Sequence, residues 1–134
     1  METVTQVIAW RRELHKRAEV GFELPRTVAY LREVLTDLGL ELSDDIGGGF
    51  VATLNNGQGP TIGIRADMDG LPISEATGKD WTSEQPQSMH ACGHDGHMAM
   101  ALGAAAALST TRAFSGTIHF VFQPAEEPGH GAQS

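Results

Sequence analysis

Residues 90–110, HACGHDGHMAMALGAAAALST, join a dense polar cluster to an apolar segment with helical spacing. Residues 95–110 predict a helix, because His97, Met98 and Ala101 recur along one side of it. The eight residues that open the stretch include three histidines, a cysteine and an aspartate. We therefore expect a group of metal-ligand or proton-transfer side chains at the start of a helix.

The segments around this helix alternate between helical and strand patterns, in the order α-α-β-β-α-β. That order predicts an α/β fold in which a sheet is covered by helices. In such sheets, chemistry collects beyond the carboxyl ends of the strands. The expected helices cover residues 4–17, 25–39 and 95–110, the expected strands lie within residues 47–59, 60–73 and 116–124, and residues 74–89 are expected to form a loop.

The composition narrows the class of protein. The chain has 134 residues, 40% of them hydrophobic, and a net charge of −8, which is typical of one globular domain. The negative net charge argues against a surface for nucleic acid or anionic membranes, because such a surface would need clustered lysine and arginine. No apolar run reaches the roughly 18 residues that span a bilayer. The single cysteine cannot form an internal disulfide, and the N-terminus lacks a signal-peptide pattern, so we expect a cytoplasmic location.

Three polar clusters are expected to meet at one edge of the predicted sheet. Asp67 and Asp69 follow one strand, Glu126 and Glu127 follow another, and residues 90–97 open the helix between them. Adjacent acids project in different directions, so one can bind a metal while the other handles a proton. Thiolate, imidazole and carboxylate groups are the usual zinc ligands. The pattern therefore predicts a metal site.

Other interpretations of the same residues are open at this point. Each pair of acids, taken alone, is more often a turn or a solvated pair. Cys92 could be a nucleophile with His94 or His97 as its base, or simply a small buried residue. His97 could also be a hydrogen-bonded, half-buried histidine. His15 and His119 receive no functional assignment, because the first lies on an amphipathic helix and the second lies mid-strand.

Several blocks together resemble the N-terminal third of the hippurate hydrolase-like amidohydrolases, in the aminoacylase and zinc-carboxypeptidase group of di-metal peptidases. The resemblance implies a zinc-exopeptidase-like α/β fold, with a central sheet flanked by helices, truncated and without the lid and dimerisation domain. Residues 1–134 would be the N-terminal part of the catalytic domain. The blocks are RRELHKRAEVGFEL, IRADMDGLPI, MHACGHDGHMAM, GTIHFVFQPAEE and GHGA.

The resemblance also implies roles for individual residues. Cys92, His94 and Glu127 match metal ligands, and Glu126 matches the general base. Asp69 matches the aspartate beside the metal centre and is counted with the catalytic residues. The supporting positions, which would orient the ligands or the loop, are His90, Asp95 and His97, while Asp67 stands where many relatives have a histidine ligand.

The function implied by the resemblance is hydrolysis of the amide bond of N-acyl amino acids, hippurate-like substrates, by a water that a divalent metal activates. Zinc or manganese is expected, and cobalt or nickel is compatible. The partner would be a small-molecule substrate, with neither nucleic acid nor membrane, and full-length relatives would form homodimers or tetramers. The isolated chain is expected to be inactive. The alternative is a non-catalytic metal-binding or interaction module derived from the enzyme.

Overall fold

The helices and strands follow the apolar pattern of the sequence across residues 3–133, which the computed structural model describes. The predicted α/β class is confirmed. The sequence pattern missed a two-residue strand and a terminal 3-10 helix, which are too short to show a period. In chain order the elements are α1 (Thr3–Lys16), α2 (Pro25–Asp37), β1 (Glu41–Leu42), β2 (Phe50–Asn56), β3 (Thr61–Asp67), α3 (His94–Thr111), β4 (Gly116–Gln123) and a 3-10 helix (Gly131–Gln133).

The four strands form one mixed sheet in the order β1-β2-β4-β3. Strand β2 pairs antiparallel with both β1 and β4, whereas β3 pairs parallel with β4. In the parallel pair, Asp67 is in register with Gln123 at the carboxyl ends. Helix α3 makes the crossover between β3 and β4, so both strand ends and the start of α3 can lie near one another.

One face of the sheet carries the core. Buried residues alternate along β2 and β4, and those of this face pack with residues of all three helices in a single cluster. Helix α3 contributes small side chains, and a Cβ at Gly103 would lie 2.7 Å from a Val7 methyl group. Close packing of α1 against α3 therefore depends on that glycine. The largest fully buried side chains include Leu14, Leu31, Leu35, Phe50, Met98, Leu102, Phe120 and Phe122.

The opposite face and one edge of the sheet remain open within residues 3–133. Val51, Thr53 and His119 are partly exposed there, and Val121 is 37% exposed. Strand β3 forms an edge, where Ile62 reaches solvent. An open edge of this kind presents backbone N–H and C=O groups that another strand could pair with. None of the helices in the described residues combines the length and apolar character needed to cross a membrane.

Candidate metal centre

The three polar clusters meet where β3 and β4 end. Asp67 is the last residue of β3, and His94 is the first residue of α3. Glu126 and Glu127 lie in the turn that follows β4. The parallel pairing of the two strands brings these groups to the same edge, because their carboxyl ends point in the same direction. The structure thus joins residues that are about 60 positions apart in the chain.

His94 lies at the centre of this group, and its side chain is only 2% exposed. Its Nδ1 lies 2.7 Å from the carbonyl oxygen of Asp69, and because a carbonyl only accepts, Nδ1 must carry the proton. The Nε2 atom faces carboxylate oxygens of Glu126 at 3.1 Å and of Glu127 and Asp67 at 3.5 Å. An imidazole lone pair among carboxylates needs a proton or a cation between them.

Two sets of side chains could hold that cation. Cys92, His94 and Glu127 offer one ligand atom each, all within 4.8 Å of one another. A second set, Asp67, His94 and His97, meets the same limit and shares the imidazole with the first. The first set combines a thiol, an imidazole and a carboxylate, which are the donor types of zinc sites. It also coincides with the three ligands expected from the sequence.

Asp69 lies fully buried beneath the acid pair. Its Oδ1 accepts a hydrogen bond from the backbone N–H of Glu126 at 3.0 Å, and its Oδ2 accepts one from Glu127 at 3.1 Å. The carboxylate therefore fixes the backbone from which both glutamates project. Since both oxygens are occupied by backbone donors, Asp69 does not face the solvent side of the site.

Asp69→Asn is expected to lower the free energy of unfolding by about 1–3 kcal/mol, because its amide group would face a partly buried backbone N–H. Asparagine keeps only one oxygen, so one of the two N–H groups loses its acceptor. Urea denaturation measures the change, with the exposed Asp80→Asn as the matched control. Equal unfolding free energies for the two variants would contradict the role of Asp69 in fixing the backbone of the two glutamates.

The segment that precedes α2 also supports the two turns that follow β3 and β4 and carry the acids of the site. The carbonyl of Glu19 accepts a hydrogen bond from Gly70 at 2.7 Å, and the carbonyl of Gly21 accepts one from Ala125 at 3.0 Å. Ala125 needs this support, because its φ of 50° lies in the left-handed region that a residue with a Cβ rarely adopts. The Glu19 carboxylate accepts from the N–H of Thr27 and so caps α2. The sequence pattern offered no signal for this role.

Asp67 is held in place by cationic and hydrogen-bonding neighbours. Its Oδ1 accepts a hydrogen bond from His97 Nδ1 at 2.6 Å, and its Oδ2 pairs with Arg65 at 3.0 Å. Burial acts to raise the pKa of Asp67, but the His97 hydrogen bond and the charges of His94 and Arg65 outweigh it, so the pKa is lowered. Asp67 therefore stays ionised and adds negative charge to the site.

Cys92 lies at the exposed rim, immediately before Gly93. Gly93 adopts a φ of 89°, which lets the chain turn sharply into α3. A hydrogen bond with Glu127, partial desolvation and the charges of Glu127 and Glu126 raise the pKa of the Cys92 thiol. A cysteine nucleophile needs a lowered pKa. The acids around Cys92 therefore argue against the nucleophile interpretation, and a divalent cation would be needed beside them to favour the thiolate.

The supporting positions predicted around the ligands differ in their contacts. His97 donates to Asp67, whereas Asp95 contacts His15 rather than a ligand. His90 is buried, and neither of its ring nitrogens has a hydrogen-bond partner among residues 3–133. Burial lowers the pKa of His90 to about 4, so the ring is neutral near pH 7. The involvement of His15 was not expected, because the sequence showed only a histidine on an amphipathic helix.

Comparisons with known proteins identify relatives of this chain. The chain is 46% identical over 129 residues to an N-acyl-L-amino acid amidohydrolase of Geobacillus stearothermophilus. This match covers 94% of the chain and 35% of the relative. It is 41% identical over 133 residues to an N-acetylcysteine deacetylase of Bacillus subtilis, covering 96% of the chain and 35% of the relative. The chain thus spans about a third of the length of these curated relatives.

A solved structure gives the same result for the fold. The crystal structure of the YXEP protein of Bacillus subtilis, described as a dinuclear metal binding peptidase from the M20 family, matches with a TM-score of 0.91 and 40% identity. The match covers 98% of this chain and 38% of that one. The resemblance to the amidohydrolases is confirmed. The model of peptidase family M20/M25/M40 matches residues 63–134, more than half of the chain, so the chain belongs to this family of hydrolases.

Proposed function

We propose that the chain carries the metal-binding part of an amidohydrolase that cleaves the amide bond of N-acyl amino acids. The observation that carries this proposal is the meeting of Cys92, His94 and Glu127 within 4.8 Å, with Glu126 directly beside them. The names of the similar amidohydrolase and deacetylase support the substrate class. In this proposal residues 1–134 are the N-terminal part of the catalytic domain.

The side chains present fit a divalent cation. Cys92, His94 and Glu127 would hold it, because His94 Nε2 keeps its lone pair while Nδ1 donates to Asp69. The thiolate favours zinc, and manganese, cobalt or nickel could serve the same donor set. When bound, such a cation lowers the pKa of a water molecule and polarises a carbonyl group. Its positive charge would also relieve the repulsion among the clustered carboxylates.

Glu126 has the position of a general base. Its Oε1 lies 3.1 Å from His94 Nε2, and its side chain is 39% exposed, so the carboxylate faces both the ligands and solvent. We assign to it the proton of the water whose oxygen attacks the amide carbon. As the carbon–nitrogen bond breaks, Glu126 returns that proton to the leaving nitrogen, which yields a carboxylic acid and an amino acid. Asp69 acts through the backbone of Glu126 as a positioning residue.

The finer expectations from the sequence stay predictions. They include hippurate-like substrates, zinc or manganese as the ion, a cytoplasmic location and assembly into homodimers or tetramers. The alternative function, a non-catalytic metal-binding or interaction module, shares the ligand set but makes no use of Glu126. A metal-binding measurement therefore tests both functions, and only turnover separates them.

Cys92→Ala is expected to weaken metal binding by more than roughly 10- to 100-fold, which is the usual cost of losing a group that hydrogen-bonds to a metal ligand. The substitution removes one of three ligands at an exposed position, so the fold should be unaffected. Metal content after dialysis against zinc or manganese gives the measurement. We expect about one ion per wild-type chain.

The matched control is His119→Ala, which removes a histidine that contacts Thr53 on the open face of the sheet. This variant should retain the metal content of the wild type. If Cys92→Ala and His119→Ala bind equally well, the proposed ligand set is wrong.

A further inference from the structure

His15 connects α1 to two segments that border the metal centre. The residue is only 3% exposed. Its Nδ1 lies 2.8 Å from Asp95 Oδ2, and its Nε2 lies 2.9 and 3.1 Å from the two carboxylate oxygens of Glu75. Both ring nitrogens therefore face carboxylates whose residues are 60 and 80 positions away along the chain.

Both partners of His15 have further donors or cationic groups beside them. Glu75 also accepts from the Ser83 N–H at 2.8 Å and from the Thr77 hydroxyl, and together with His15 these donors lower the pKa of Glu75 although burial acts to raise it. Asp95 also forms an ion pair with Arg11, whose Nε lies 2.8 Å from Oδ2. A carboxylate oxygen accepts hydrogen bonds, so each ring nitrogen of His15 is placed to donate to one of the two acids.

The two carboxylates belong to segments that hold the site. Asp95 is the second residue of α3 and directly follows His94, one of the proposed ligands. Glu75 lies in the loop that leaves β3 and returns to the residues before Cys92. His15 is thus the point at which the start of α3 and this loop are both fastened to α1. The other charged or titratable groups at the ring are Arg11, on the Asp95 side, and His90, whose ring lies 6.3 Å away.

We propose that His15 is a positioning residue of the metal centre: a buried imidazolium that holds Asp95 and Glu75 and thereby fixes the turn bearing Cys92 and His94. This inference rests on the proposed function. Without the His15 imidazolium, two buried carboxylates would face each other with too little compensating charge. Breaking a buried ion pair in this way is strongly destabilising. The loop and the first turn of α3 would then move apart.

The first test uses the purified, metal-free chain. Long-range nitrogen–proton NMR correlations should show His15 protonated on both nitrogens. In His15→Gln, amide hydrogen exchange should become about tenfold faster at Ser83, which donates to Glu75, and at His97, which donates to Gly93 across the ligand turn. A neutral His15 ring overturns the proposal, even if the variant fails to fold.

The second test measures cobalt binding through the visible spectrum of the bound ion. His15→Gln should lower the affinity for cobalt about tenfold. This is at the lower end of the usual cost of losing a group that supports a metal ligand. Adding Glu75→Gln to His15→Gln should recover part of the affinity, because one of the opposed charges is removed. His119→Gln serves as the matched control and should bind as the wild type does.

The outcomes separate the two proposals. An unchanged affinity in His15→Gln, or a double variant no better than the single one, overturns the positioning role. If the wild-type chain binds no cobalt, the proposed function fails, and the exchange rate of the His97 amide then decides whether His15 fixes the turn. Unchanged exchange at that amide in His15→Gln also overturns the inference.

Discussion

Replacing Glu126 by glutamine in the complete enzyme is expected to lower kcat by about 10²- to 10⁴-fold, the usual cost of losing a general base. The amide keeps the shape of the side chain but cannot take a proton from water. The three proposed ligands are untouched, so metal content should equal that of the wild type. Release of amino acid from benzoyl-glycine or acetyl-methionine measures turnover, and metal analysis of the same sample measures occupancy.

Glu127→Gln is the matched control for this experiment, because the two acids are adjacent and are fixed by the same aspartate. Here we expect the opposite order of effects, with metal binding lost first and turnover lost as a consequence. Excess metal in the assay should restore part of the activity of Glu127→Gln and none of that of Glu126→Gln. A Glu126→Gln enzyme with near-normal kcat would refute the role given to that residue.

The candidate ligands could be named before the structure because the family resemblance marks their positions, and two of them lie close together in the sequence. Cys92 and His94 are two positions apart, and Glu126 and Glu127 lie next to each other in the turn after β4. The parallel pairing of β3 with β4 then brings Asp67 to the same edge, as the order of elements suggested. The polar groups lie together because they follow the ends of neighbouring strands, and the hydrophobic pattern indicates where those strands lie.

The supports of the site could not be predicted, because they depend on contacts between distant segments. Asp69 was expected beside the metal centre, but only the structure reveals that its two oxygens bind consecutive backbone N–H groups. His15 gave no signal, since its partners Glu75 and Asp95 lie far along the chain. A sequence pattern records which side of a helix is apolar, and it does not record what a polar residue on that helix meets.

The 134 residues alone are expected to hydrolyse N-acyl amino acids at least 10²-fold more slowly than a complete relative. Both candidate ligand sets include His94, and its Nδ1 already donates to the Asp69 carbonyl, so only Nε2 can bind a cation. The described residues therefore complete one metal set, whereas a similar solved protein is described as dinuclear. The Nη1 group of Arg65 is engaged by Asp67 and its Nε group by Gln123, so these two groups are not free to act as oxyanion donors.

The expected size of this deficit is that of losing an oxyanion donor and the groups that position the substrate. Loss of one oxyanion donor costs about 10²- to 10³-fold, and loss of substrate positioning adds to it. The open edge at β3 should also promote self-association, because its backbone groups lack a neighbouring strand. The assay is release of glycine from benzoyl-glycine with zinc or manganese added, and the N-acetylcysteine deacetylase of Bacillus subtilis, with its own substrate, is the positive control. Chelator-sensitive turnover by the purified chain would overturn this prediction and make His130 the first residue to test as a further ligand, since it is exposed in the turn beyond Glu127.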